Sequence, residues 1–135
     1  MTRHTCEENL NEIFGKPDRQ AVYQQRVVDS LNTIADLPDA GASVSYAADL
    51  IENINSLAQH QALGYKDNWS NTYATFEKHT SGGQPRLDLV QFPFHHVIAP
   101  LVDTNALRKE LAIFQLRYKQ TWGKPLSKGF FPAEM

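Results

Sequence analysis

A strand, a long helix and a second strand follow one another near the end of the chain, and this order leaves few folds open. Residues 87–92 read as a strand that stops at Pro93, which cannot continue a strand ladder. A helix with one apolar stripe comes next, formed by Leu107, Leu111, Phe114, Tyr118 and Trp122. Residues 128–132 then open another strand. Strands joined in this way pair in parallel through a crossover helix, so we predict an α/β fold.

The first half of the chain predicts the same alternation. Pro17 suits the first turn of a helix that ends near residues 37–38, with a stripe of Tyr23, Val27, Leu31 and Ile34. Residues 42–46 predict a short strand. A second helix begins at Ala47, with an apolar face of Leu50, Ile51, Ile54, Leu57 and Ala58. Helix, strand and helix therefore precede the second strand.

The third helix has recognisable ends, and the segment before the second strand does not look regular. Asp103 or Thr104 is expected to cap the helix and Gly123 to end it, while Ile113 and Leu116 are expected to widen its buried face. Residues 64–86 combine turn formers with aromatic side chains and show no sustained period. We predict a long loop there that is ordered because of its aromatics.

The length predicts one domain, and the last strand predicts that this domain continues beyond the chain. A chain of 135 residues is the size of a single domain. A final parallel strand with no helix to cover it leaves an exposed edge, which parallel sheets avoid. We therefore expect residues 1–135 to form a single incomplete α/β domain.

Charge and cysteine content exclude several classes of function. The 13 basic and 15 acidic residues give a net charge of -2 without a run of like charge, so we expect no binding to nucleic acid or to an anionic membrane. The single cysteine, Cys6, makes no intramolecular disulfide, and no zinc-ligand spacing occurs. No apolar stretch reaches the ~18 residues of a membrane span. We predict a cytoplasmic protein without a cofactor.

Polar side chains follow three of the predicted strands. Tyr46, the pair His95 and His96, and Glu134 each stand at a strand end, where parallel sheets bind their ligands. Glu134 suits a nucleophile or general acid behind Phe130 and Phe131, although the pattern alone favours a solvated glutamate near the end of the chain. We expect no metal site at the histidines, since adjacent residues on an extended backbone point to opposite sides.

The aromatic side chains of the long loop have two interpretations. Trp69 and Tyr65 have rings that stack on the face of a sugar in some binding sites. Aromatic side chains in long loops also pin the loop to the body of a protein. Both interpretations stay open from the sequence.

Four strings together resemble the N-terminal part of glycoside hydrolase family 57. They are VSYAADLIEN at 44–53, TSGGQPRLDLV at 80–90, HHVIAPL at 95–101 and GFFPAEM at 129–135. The resemblance covers about residues 43–135 and keeps the order and approximate spacing of the family's early motifs. Two details depart from the family pattern. Phe131-Pro132-Ala133 stands in place of Trp-Leu-Pro, and the His-Gln-Pro tripeptide of the first strand does not occur.

The resemblance implies an incomplete (β/α)7 barrel that acts on α-glucans or related oligosaccharides with retention of configuration. Glu134 matches the position of the family's nucleophile, and the aspartate acid/base is expected beyond Met135. We expect His95, His96, Tyr46 and Trp69 to contact the oligosaccharide or polysaccharide substrate. Because retaining hydrolysis needs two carboxyl groups, this chain alone is expected to be inactive.

Two alternatives belong to other classes of protein. A metal-dependent carbohydrate deacetylase requires His95 or His96 to join an aspartate and a further histidine on a divalent ion. A carbohydrate-binding module requires Tyr65, Trp69 and Tyr73 to form an exposed stacking platform.

Overall fold

The computed structural model of the protein describes residues 6–133. Along the chain, helices precede and follow each strand. The helices and strands of this range are α1 (Cys6–Phe14), α2 (Pro17–Gln24), α3 (Arg26–Thr33), β1 (Ala42–Ser45), α4 (Ala48–Gln59), α5 (Asn71–Ala74), β2 (Leu87–Val90) and α6 (Thr104–Trp122). A 3-10 turn, Ala99–Leu101, precedes α6.

The two strands pair in parallel. Their register runs from Ala42 opposite Leu87 to Ser45 opposite Val90. Beyond β2, Gln91 forms a parallel bridge to Phe130. The Gln91 N–H donates to the Gly129 carbonyl and the Phe131 N–H donates to the Gln91 carbonyl, each at 2.9 Å. A third chain segment, residues 129–131, therefore extends the sheet in the same direction. Closure of the sheet into a barrel stays a prediction.

The α4 and α6 helices begin as their sequences predict, and each buries part of its predicted apolar face, with one exception in α6. Of the stripe predicted for α6, Phe114, Tyr118 and Trp122 are buried, while Leu107 and Leu111 are only half-buried. Ala48, Ile51, Ile54 and Ala58 of α4 are buried. Asp103 caps α6 by accepting from two backbone N–H groups at 2.9 and 3.0 Å, and Gly123 ends it in the left-handed conformation.

The exception concerns the width of the buried face of α6. Ile113 and Leu116 are 49% and 59% exposed, so the prediction that they widen this face is wrong. At about 100° per residue they lie opposite the buried stripe of Phe114, Tyr118 and Trp122.

The helix predicted from Pro17 to residues 37–38 is wrong in its extent. It is divided at Gln25 into α2 and α3, and α3 ends at Thr33. The carbonyl groups that follow α3 are bound by the side chain of Arg86 instead of continuing a helix. Its guanidinium and Nε donate to the carbonyls of Ile34, Ala35, Leu37 and Ala40.

Arg86 also joins the starts of the two strands. It is 5% exposed and immediately precedes β2. Its own carbonyl accepts from the Ala42 N–H at 2.8 Å, at the first residue of β1. At Gly41, a β-carbon would lie 3.0 Å from this carbonyl, so glycine permits the close approach. One residue thus fixes the loop before β1 and the register of β1 on β2.

An aromatic cluster around Tyr46 forms part of the core. The ring of Tyr46 contacts four other rings at centroid distances of 5.4 to 6.4 Å, namely Tyr23, Trp69, Tyr73 and Trp122. The long loop of residues 64–86 contributes Trp69 and Tyr73, and it includes the short helix α5. Burial of these rings orders the loop. Among residues 6–133, no helix is both long and apolar enough to cross a bilayer.

Replacing Arg86 tests whether it holds the two strands in register. We expect Arg86→Met to lower the free energy of unfolding by ~3 kcal/mol, because four backbone carbonyls lose the charged donor of a buried side chain. Arg86→Lys should recover only part of the loss, since an ammonium cannot reproduce the planar fork. Urea unfolding measures both, with Arg108→Ala at an exposed position of α6 as the control. Equal stability of Arg86→Met and the control contradicts the prediction.

Candidate functional site

The parallel strands bring their carboxyl-terminal ends to one edge of the sheet. We use "carboxyl edge" for residues 92–96, which follow β2, together with residues 131–133, which follow the bridged segment. Tyr46 follows β1 at the same edge. Ligands of parallel α/β sheets bind outside this edge, so it is the candidate functional site.

Two hydrogen bonds to one carboxylate hold His95. The Glu110 side chain accepts from the His95 backbone N–H at 2.7 Å and pairs with the ring Nδ1 at 3.0 Å. The His95 side chain is 62% exposed and that of Glu110 only 17% exposed. The hydrogen bond to Glu110 is the main cause that raises the pKa of His95 above its usual value, with smaller contributions from Asp49 and Glu52. The His95 ring is therefore exposed to solvent while Glu110 holds its backbone N–H and its Nδ1.

His96 is exposed beside an aromatic pair. Its ring lies edge-on to Phe92 at a centroid distance of 5.2 Å. Phe92 stacks on Phe131 at 6.0 Å with an interplanar angle of 12°. Phe131 is 52% exposed and Phe92 is buried. The edge thus combines two imidazoles, which can donate and accept hydrogen bonds, with an exposed aromatic ring.

The structure places Tyr46 in the core and not on the open edge. The side chain is 5% exposed, and its hydroxyl donates to the Tyr23 carbonyl at 3.0 Å. Burial raises its pKa well above the usual range. The hydroxyl therefore forms a hydrogen bond inside the protein. Little of the Tyr46 side chain is exposed for the predicted contact with a substrate.

The aromatic side chains of the long loop are also buried. Trp69 is 3% exposed, and its indole N–H donates to the Asn55 side-chain oxygen at 2.8 Å. Tyr65 and Tyr73 are 1% and 0% exposed and donate to the carbonyls of Phe14 and Val22. The three rings therefore form no exposed stacking platform, and the predicted sugar contact of Trp69 stays a prediction. These rings pin the loop to the core.

The candidate nucleophile, Glu134, lies outside the described residues. The residue before it, Ala133, is fully buried at the carboxyl edge. Within residues 6–133, no group of three His, Cys, Asp or Glu side chains could hold a metal ion.

The opposite, amino-terminal edge of the sheet carries a concave surface of about 740 Å³. Three of the polar residues that line it form hydrogen bonds within the protein. The Ser127 hydroxyl donates to Asp88 at 2.9 Å and accepts from the Gly129 N–H at 2.8 Å, and Lys124 donates to the Phe76 carbonyl at 2.6 Å. The two contacts of Ser127 connect β2 to the segment at 129–131, and the contact of Lys124 connects the end of α6 to the long loop.

Glu110 is the site residue that sequence reasoning missed. It lies on α6, 15 residues from His95 along the chain. No motif joins the two positions, since the contact arises only when α6 packs beside the carboxyl edge.

Comparisons with known proteins give one line of similarity. The chain is 32% identical over 108 residues to an alpha-amylase of Niallia circulans. The matched region is 73% of this chain but 8% of that relative, so the chain spans about a twelfth of the relative's length. No family model and no solved structure matches. The similarity supports a relationship to glycoside hydrolases and does not identify family 57.

Alkaline titration tests the buried state of Tyr46. Burial raises the pKa of Tyr65 and of Tyr118 to about 12 and that of Tyr46 and Tyr73 in the same direction. Stability due to these phenols is fully present below the unfolded pKa of about 10 and falls as the pH rises above it, because only the unfolded chain ionises there. Each such tyrosine contributes a slope of about 1.4 kcal/mol per pH unit.

We therefore expect Tyr46→Phe to make stability fall less steeply with pH above 10. Urea unfolding at a series of pH values measures this slope, and ultraviolet absorbance follows tyrosinate formation. A folded-state tyrosinate signal near pH 10 that disappears in Tyr46→Phe contradicts burial of this phenol.

Proposed function

We propose that this chain is part of a glycoside hydrolase acting on α-glucans, and that the saccharide binds at the carboxyl edge. The observation that carries the proposal is the similarity to a segment of an alpha-amylase over most of this chain. The four strings that resemble family 57 support the same class, and we propose that family for the finer assignment.

The geometry of the carboxyl edge supports the saccharide site. Sugars present hydroxyl groups in the ring plane and C–H groups on the ring faces. His95 and His96 supply hydrogen-bonding nitrogens, and the half-exposed ring of Phe131 supplies an apolar face.

We propose a (β/α)7-type barrel as the fold of the complete domain. Parallel pairing of β1 and β2 and the parallel bridge at Phe130 support it, since barrels of this class consist of parallel strands joined by helices. The outer edge of the 129–131 segment then pairs with a further strand of the same protein. Exposed Ile113 and Leu116 lie on a face of α6 that a neighbouring helix would cover.

The proposed mechanism is retaining hydrolysis with Glu134 as nucleophile. A carboxylate oxygen of Glu134 attacks the anomeric carbon and forms a glycosyl ester, while the glycosidic C–O bond breaks. A second carboxyl group protonates the leaving oxygen and then takes a proton from the water that hydrolyses the ester. We propose that this second group lies downstream of Met135, about 5 Å from Glu134 in the folded enzyme.

Substitution of Glu134 tests the mechanism in a protein that carries this segment with its downstream sequence. We expect Glu134→Gln to lower kcat on soluble starch by ~10³-fold or more, because an amide is a poor nucleophile. Glu12→Gln, at an exposed position of α1, should retain full activity. NMR of the fresh product should show the α-anomer, as retention requires.

Two results would contradict this proposal. Unchanged turnover in Glu134→Gln removes this residue from the mechanism. A product of inverted configuration removes the covalent intermediate, because inverting enzymes use the second carboxylate to activate water directly.

A further inference from the structure

We propose that Glu110 is a positioning residue for saccharide binding: it holds the His95 ring so that Nε2 meets a sugar hydroxyl at the carboxyl edge. This inference deepens the proposed function and rests on it. Glu110 itself does not touch the sugar in this arrangement and acts through His95.

Glu110 contacts His95 through both of its carboxylate oxygens. One carboxylate oxygen accepts from the backbone N–H at 2.7 Å and the other pairs with the ring Nδ1 at 3.0 Å. The backbone contact fixes the position of the residue and the ring contact fixes its rotamer. A single side chain therefore determines where the imidazole stands and which way it faces.

The contact with Glu110 determines which ring nitrogen of His95 faces a ligand. An ionised carboxylate only accepts hydrogen bonds, so Nδ1 must carry the proton in this pair. Nε2 is then the nitrogen directed away from Glu110. It accepts from a hydroxyl when the ring is neutral and donates when the ring is protonated. A carboxylate behind a ligand-binding histidine is a common way to fix its tautomer and orientation.

The loop that carries His95 is held by further contacts. The Phe94 carbonyl accepts from the Asp49 N–H at 3.1 Å, which ties the loop to the start of α4. The Phe94 ring lies edge-on to His95 at 4.7 Å. Helices α4 and α6 therefore hold the loop from two sides, and the imidazole is preorganised for binding.

The charges that face His95 come from the same two helices. Asp49 and Glu52 lie on α4, and Glu110 lies on α6. Arg117 of α6 pairs with Glu52 at 2.5 Å, which offsets part of this negative charge. The sum favours the protonated ring, so that near neutral pH His95 is a better donor toward a sugar oxygen than an unpaired histidine.

The experiment combines NMR titration of the full 135-residue chain with binding of maltoheptaose. In the wild type we expect the pKa of His95 to lie above its ordinary value, with Nδ1 protonated in the ¹⁵N spectrum. In Glu110→Gln the pKa should fall and the Nδ1 signature should change. Affinity for maltoheptaose should weaken by about threefold to tenfold, the effect of one hydrogen bond.

A double-mutant cycle distinguishes positioning from a general structural effect. Glu110→Gln should have no further effect on affinity in a His95→Gln background, because Glu110 acts only through that ring. Glu12→Gln, at an exposed position of α1, is the matched control and should change neither readout. The backbone NMR spectrum of each variant shows that it is folded.

The outcomes separate this inference from the function on which it rests. A wild-type chain that binds no maltoheptaose overturns saccharide recognition by this chain and the role of Glu110 with it. Wild-type binding with unchanged affinity in Glu110→Gln overturns the role of Glu110 and leaves the proposed function standing. Equal loss of affinity from Glu110→Gln in both backgrounds also overturns positioning through His95.

Discussion

The bonds of Arg86 to the backbone carbonyls before β1 are the interaction on which the rest of the structure depends. A buried guanidinium is stable only when its donors find acceptors, and here the carbonyls between α3 and β1 supply them. The Arg86 carbonyl completes the connection by accepting from Ala42. Because side chains alternate along a strand, a slip of one residue between β1 and β2 would turn the buried Leu87 and Leu89 outward. The register fixed in this way also decides which residues reach the carboxyl edge.

Once the strands are in register, the protein separates its aromatic side chains into two groups with different tasks. Tyr46, Trp69 and Tyr73 turn inward, and their polar atoms bond to protein groups. Phe131 remains half-exposed beside the two histidines. The same helices that cover the sheet also supply the polar support of the edge, through Asp49 on α4 and Glu110 on α6. Stability and the proposed binding site therefore share their elements.

The sequence predicts the local features of this protein well and its long-range contacts poorly. Asp103, Gly123 and the apolar face of α4 act within one helix, and their roles follow from spacing alone. Arg86 binds partners 46 to 52 residues away along the chain, and Glu110 binds a partner 15 residues away. No sequence pattern predicts such partners. Arg86 also shortens the predicted first helix, because it binds carbonyls that a helix would have used. For Tyr46 and Trp69 a strand end or a loop suggested exposure, whereas burial in a shared cluster is a property of the tertiary fold.

We propose that saccharide binds this protein at the carboxyl edge of its parallel sheet. A crystal structure of the full chain with bound maltoheptaose tests it most directly. We expect a glucosyl unit within hydrogen-bond distance of His95 Nε2 and in contact with Phe131. A sugar seated instead in the concavity of Asp88 and Ser127, at the opposite edge, would contradict it.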